Sequence, residues 1–308
     1  MRKVLITGIS GGQGRRVALN LLTGRQRYRV CGVDRVDWPG RPRQVKMIVL
    51  DMRKKKFEDV IRHERPGAIV HLASIRHFAS NPAIRHEVNV NGTKRLIEFA
   101  VTHDVKHVVI CSSSYVYGAL PENPYYMNEN FPLSVSRTYP EVRDLAEMDM
   151  MASSLLWQHP EVSISVLRPV NVLGYHVHSA IGRYLRHERV PTVLGFNPML
   201  QFIHEDDLAE AIVLAIEQNT RGIFNLAGPG AVPLDVAIRQ IGGTPIPLPE
   251  MILRPVIGRM FRWGFYPFPP GAMDFAKYPC TLDGSRFQSA TGFEPRYSLN
   301  ETFATVRN

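Results

Sequence analysis

The chain has 308 residues, 44% hydrophobic and 21% charged, enough apolar material for one large domain or a main domain with a smaller lobe and too much for a disordered chain. Its 37 Lys and Arg against 28 Asp and Glu leave a formal net charge of +9, which favours anionic ligands such as a nucleotide. The basic residues are scattered apart from Arg53-Lys54-Lys55-Lys56, read as a solvated helix start, and no DNA- or RNA-binding motif occurs, so no nucleic-acid partner is expected.

In chain order, short β-branched runs at 3–7, 29–34, 46–51, 68–72, 107–112 and 163–168 alternate with helical patterns. Their apolar residues are consecutive rather than alternating, the mark of strands buried on both faces. The expected fold is α/β, a Rossmann-type doubly wound parallel sheet with a smaller mixed α/β substrate lobe. Beyond Gly174 the rhythm loosens into a helix at 179–186, short strands near Val193 and Phe202 and a helix at 206–218. The last part, rich in Pro and aromatics as in Phe265-Tyr266-Pro267-Phe268-Pro269-Pro270, is not one long regular element. Cys31, Cys111 and Cys280 lie far apart with no metal-ligand spacing, so reduced core thiols and no metal are expected. No run reaches the roughly 18 apolar residues of a membrane span, and no apolar signal segment precedes the first strand; the expected location is the cytoplasm.

The first strand runs into Thr7-Gly8-Ile9-Ser10-Gly11-Gly12-Gln13-Gly14, followed by a helical stretch at 15–22. Glycines at 8, 11 and 14 between strand and helix permit a tight turn whose backbone N–H groups approach a pyrophosphate at the positive end of the helix. Asp34 closes the second strand about 20 residues beyond Gly14, where an acid accepts hydrogen bonds from ribose hydroxyls. Its charge repels a 2′-phosphate and favours NAD over NADP, although the adjacent Arg35 could pair with such a phosphate.

Further motifs follow in order: Asp51-Met52, His71-Leu72-Ala73, Asn89-Val90-Asn91-Gly92-Thr93, Ser112-Ser113-Ser114-Tyr115-Val116-Tyr117-Gly118, Leu167-Arg168-Pro169-Val170-Asn171-Val172-Leu173-Gly174, Phe202-Ile203-His204-Glu205-Asp206-Asp207-Leu208-Ala209 and Thr291-Gly292-Phe293-Glu294-Pro295. With the glycine turn, these make the chain resemble, nearly end to end, the extended short-chain dehydrogenase/reductases, specifically the NAD-dependent epimerase/dehydratase family that includes UDP-glucose 4-epimerase. The resemblance implies a cofactor domain over 1–175 and a substrate lobe mainly over 176–308, with 202–227 returning to the first domain. It implies that Gly8, Ser10, Gly11, Gly12, Gln13 and Gly14 hold the cofactor phosphates, and that Asp34 and Arg35 meet the ribose and Asp51 and Met52 the adenine. Leu72, Ala73, Ser74, Asn89 and Ser112 would lie along the cofactor, with Pro169, Val170 and Asn171 passing the nicotinamide.

The same resemblance implies the chemistry: a Ser or Thr and a Tyr-x-x-x-Lys motif move a hydroxyl proton while hydride passes between the substrate carbon and nicotinamide. Ser113 and Tyr139 match by position, but Arg143 replaces the lysine. A tyrosine with an unperturbed pKa of roughly 10 needs a neighbouring cation to ionise near neutral pH, and Arg143 keeps that charge on a larger, planar group. Arg143 and Tyr139 are thus candidates both for catalysis and for cofactor contact. The alternative is a dinucleotide-binding structural or regulatory protein without turnover.

On the substrate side, sugar-nucleotide members carry an Arg-Asp pair before the Phe-Ile-His strand, where this chain has Leu200-Gln201. Arg183, Arg186, Arg254 and Arg286 are the substitutes left for a diphosphate, and both a sugar nucleotide and an apolar alcohol stay open as substrates. His176 and His178 are candidates near the cleft, whereas His204 and Asp207 are read as a structural pair. The apolar and basic stretch 251–278 is read as closing the C-terminal core or a homodimer contact, with a peripheral membrane contact as the alternative.

Overall fold

A computed structural model describes residues 2–24, 26–75, 81–135, 142–263 and 268–307. The expected strands form β1 (Lys3–Thr7), β2 (Arg29–Asp34), β3 (Val45–Val49), β4 (Ala68–His71), β5 (His107–Cys111) and β6 (Ser163–Pro169). Together with β10 (Gly222–Leu226) they make a seven-stranded sheet in the order β10-β6-β5-β4-β1-β2-β3, parallel throughout. The fold is the doubly wound α/β architecture. Strand order reverses between β1 and β4, so a crevice opens at the carboxyl end of β1, where the glycine turn lies. Val4, Leu5, Ile6, Ile69, Val70, Val108, Val109 and Ile110 are fully buried, as strands covered on both faces require.

Two small sheets build the other lobe. One joins β7 (Asn171–Leu173), β9 (Met199–His204) and β11 (Ala231–Pro233); the other pairs β8 (Arg189–Val193) with β12 (Thr244–Leu248). The segment 202–227 therefore divides: Phe202–His204 completes β9 in the three-stranded sheet, while β10 enters the main sheet beside β6. The last stretch is not one long element: the helix Glu250–Arg262, which carries Pro255 in its interior, is followed by short helical pieces. Leu253 and Ile257 bury one face of that helix, but Met251, Ile252 and Val256 are exposed, so it closes a core with only part of its apolar surface. Phe265, Tyr266 and Pro267 lie outside the described residues. The charge run behaves as a solvated lead-in: Lys54, Lys55 and Lys56 are exposed at the start of helix Lys56–Glu64.

Two buried polar clusters hold the crevice in place. His71 bridges Thr7 Oγ1 (2.7 Å) and Thr93 Oγ1 (2.8 Å), tying β4 to β1 and to helix Gly92–Thr102. Burial pulls its pKa down to about 4, so the ring is neutral. Beneath β6, Arg168 makes a two-pronged ion pair with Asp149 (2.9 and 2.5 Å) and donates to the Tyr117 hydroxyl (2.8 Å), which donates to Asn225 (2.7 Å). Burial pushes the Tyr117 phenol up to about 12 against the lowering influence of Arg168. Arg168 of the Leu-Arg-Pro motif thus supports the strand and faces away from the cleft. All three cysteines are buried free thiols.

Candidate active site

The glycine turn is shaped by close approach. Gly8 has φ +75°, and a Cβ there would meet the Ala73 nitrogen at 2.7 Å, where the chain leaves β4. At Gly12 a Cβ would fall 1.9 Å from the His176 carbonyl oxygen, so the loop after β7 packs directly on the turn. Gly11 caps helix Gly12–Thr23, whose first turn holds no acidic residue, leaving its N–H groups and positive end unopposed. Buried Glu205 fixes this arrangement: it accepts from the His176 N–H (3.0 Å), pairs with Arg16 (3.4 Å), and its carbonyl accepts from Gln13 Nε2 (3.2 Å).

Around this turn lies a cleft with about 1620 Å³ of empty space including its mouth. Of the residues expected to touch a cofactor, Gly8, Gly11, Gly12, Gln13, Gly14, Leu72, Ser74, Asn89, Pro169, Val170 and Asn171 line it, and so does Ser113. His176 and His178 line it too. Gln13 Oε1 and Arg183 Nε are buried in its wall without a hydrogen-bond partner, an acceptor and a cationic donor whose needs a nucleotide's hydroxyls and phosphates would meet. The donor set and the glycine cradle therefore fit a dinucleotide.

The remaining expected residues stand behind or beside this wall. Asp34 accepts from Ser10 N (3.0 Å) and Val36 N (3.3 Å), so its carboxylate ties the turn to β2, and Arg35 is exposed. Asp51 is gripped by Arg53 (2.6 Å), whose hydrogen bonds hold its carboxyl down at about 2. Met52 is buried beneath Gly92, Ser112 is fully buried, and Ala73 N–H faces Thr7 Oγ1 (3.4 Å).

At the catalytic end, Ser113 Oγ accepts from Tyr115 N (3.3 Å), capping the short turn Ser114–Tyr117 and aiming the serine into the cleft. Tyr139 lies outside the described residues. Arg143 is the first residue of helix Arg143–Gln158 and is exposed; the residues of that segment lining the cleft are Val142, Asp144 and Leu145. Successive helical side chains point about 100° apart, so Arg143 and Asp144 face different ways. Asp144 forms a buried ion pair with Arg85 (3.1 Å) and accepts from Asn89, whose amide also clasps the Ile75 backbone (2.8 and 3.0 Å). Asn89 reaches there from a π-helical turn, Glu87–Asn91, a widening that redirects side chains and recurs at functional sites. Arg85 and Asp144 escaped sequence reasoning, since nothing local in either segment signals a pair 59 positions apart.

The substrate-side expectations separate as well. Arg254 is bound to Glu250 and Asp274 (both 2.8 Å), Arg186 donates to the Val306 carbonyl (3.3 Å), and Arg286 lies over the Phe224 ring; only Arg183 of these four lines the cleft. Gln201 uses both amide atoms on the Leu282 backbone (2.6 and 3.1 Å). His204 and Asp207 are structural but do not pair with each other: His204 caps helix Glu205–Glu217 through Asp206 N and stacks on Tyr297, while Asp207 accepts from the N–H groups of Arg296 and Tyr297.

The model of the NAD dependent epimerase/dehydratase family matches residues 4–227. The chain belongs to that family. An uncharacterized protein of Mycobacterium tuberculosis is 26% identical over 311 residues, covering 97% of this chain and 82% of that relative. UDP-glucose 4-epimerase 2 of Oryza sativa subsp. japonica is 27% identical over 297 residues, covering 80% of this chain and 71% of its own length. Among solved structures, the fold resembles a UDP-glucose-4-epimerase from Stenotrophomonas maltophila with bound NAD and formylated UDP-arabinopyranose (TM-score 0.79, 16% identity, 100% and 97% of the two chains). It also resembles the UDP-glucose 4-epimerase of Thermus thermophilus in complex with NAD (TM-score 0.75, 21% identity, 99% and 97%). In this family member, no helix among the described residues is long and apolar enough to cross a membrane.

Proposed function

We propose that this family member binds NAD in the cleft and performs oxidation, reduction or epimerisation at a secondary alcohol carbon. The observation that carries the reading is the joint lining of one cleft by the glycine turn and Ser113. Bound NAD supplies a two-electron hydride acceptor, so an alcohol that yields hydride to it and a proton to the protein becomes a ketone. The protein's part is to orient and to move that proton. Ser113, its Oγ already accepting from Tyr115 N, turns its O–H toward the substrate oxygen, and Tyr139 takes the hydroxyl proton. The preference for NAD over NADP rests on Asp34, whose negative charge at the turn opposes a 2′-phosphate. A homodimer and a cytoplasmic location belong to the same reading; mass in solution by light scattering checks the first.

The cation that favours the tyrosine phenolate is Arg143 by motif position, while Arg85 is the arginine paired in the cleft wall beside that helix. The exposure of Arg143 favours a second reading, nucleotide binding without turnover, in which ligand occupancy alters partner binding. Single-turnover hydride transfer from a deuterated alcohol separates the two. Tyr139→Phe abolishes transfer while NAD still binds if the enzyme reading holds, and unchanged transfer removes Tyr139 from the mechanism. Arg143→Ala raises the apparent pKa of the rate profile if Arg143 is the helper; if Arg85→Ala does so instead, the role passes to Arg85.

A further inference from the structure

Tyr115, Ala180 and Ile181 line the cofactor cleft on one side and a second pocket on the other. This pocket, with about 700 Å³ of empty space including its mouth, is smaller than the cleft and runs into the C-terminal lobe between Leu200, Leu234, Leu253, Ile257, Phe268 and Met273. None of its lining residues among the described residues is charged. Among the described residues, the side-chain hydroxyls on its wall are those of Tyr115 and Tyr184, and these donate to Asn171 Oδ1 (3.2 Å) and the Pro191 carbonyl (2.7 Å). Leu200 occupies the place where an arginine was expected for a diphosphate, and its side chain is part of the apolar wall. Arg183, one turn along the helix from Ala180, lies in the cofactor cleft and does not line this pocket.

A phosphate entering such a pocket would give up its water with no cation among the described lining residues to replace it, whereas each methylene buried there gains affinity. We propose that the substrate is an uncharged secondary alcohol, or its ketone, bearing a slender apolar chain or ring that fills this pocket while the reacting carbon lies beside Ser113. The proposal rests on the NAD-dependent reading above and names the substrate class for that site. Tyr115, between the two spaces, is the threshold the substrate body crosses, its ring braced edge-on against Phe275 (centroids 4.6 Å apart).

The test is calorimetric titration of a 2-alkanol series, 2-butanol to 2-decanol, and of UDP-glucose into the full chain, with and without NAD. Affinity should rise roughly fourfold per methylene until the pocket is full, with UDP-glucose silent. Ala272→Leu, on the pocket wall, should move the plateau to a shorter alkanol, and Leu200→Arg should abolish the rise. A flat series, preferential binding of UDP-glucose, or an unmoved plateau in folded Ala272→Leu overturns the proposal. NAD binding without the alkanol rise overturns the substrate class and leaves the cofactor reading standing; absence of NAD binding overturns both.

Discussion

The cleft and the pocket beside it are built from different materials. The cleft is backbone chemistry: glycines, a helix end and loop carbonyls, braced by Glu205 and by buried polar clusters under the strands. The pocket is side-chain chemistry, assembled from apolar residues of several short elements with its tyrosine hydroxyls turned onto neighbours. A binding surface made of main chain depends on the path of the backbone, here held open by glycines at 8, 11, 12 and 14. One made of side chains depends on residue identity, and here Leu200 puts an apolar side chain in the wall.

That contrast can be broken at three depths. The largest effect belongs to the platform under the cleft. Asp149→Ala strands the Arg168 guanidinium in the core and should cost about 3–5 kcal/mol, read as a large drop in denaturation midpoint. A loss below about 1 kcal/mol would mean that the cluster does not brace the cleft.

Next comes acid. His71 and His107 both have pKa values pulled down to about 4, primarily by burial, against 6.5 in the unfolded chain. Between pH 6.5 and 4 the unfolded chain binds protons that the fold refuses, so their contribution is fully present above pH 6.5 and is lost as pH falls toward 4. Each accounts for roughly 3 kcal/mol over that window. Chemical denaturation across the window should show this slope, and His71→Gln should remove about half of it; an unchanged slope would place the protons elsewhere.

The smallest effect lies on the outside of the pocket's own wall. On helix Glu250–Arg262, Met251→Ser and Ile252→Ser should change stability by no more than about 0.5 kcal/mol, because 89% and 58% of these residues are exposed. Ile257→Ser on the inner face should cost about 2 kcal/mol or more. Equal costs on the two faces would mean that the outer face is covered in solution.

How much was legible in the sequence follows the same division. The bounds of β1 and β2 were readable to the residue, since each is a short run of consecutive buried residues with a polar residue at either end, and the glycine turn announced the crevice. Asp34 and Asp51 were read by motif; their contacts to the turn and to Arg53 depend on loop geometry and were not legible. Arg143 was placed by spacing from Tyr139, yet its direction depends on where helix Arg143–Gln158 begins. The Arg85–Asp144 pair and the apolar pocket were illegible because each joins segments distant in sequence, and the exposed half of helix Glu250–Arg262 looked like core because composition carries no information about which face is covered.

The central claim, a dinucleotide gripped by main-chain amides at residues 11–14, is tested most directly by titrating NAD and NADP into the wild-type chain and into Gly12→Val. The account predicts saturable NAD binding, weaker NADP binding, and a loss on the order of 100-fold, about 2.7 kcal/mol, in a variant whose new side chain collides with the His176 carbonyl. Undiminished NAD affinity in folded Gly12→Val, or no heat with either dinucleotide in the wild type, would contradict it.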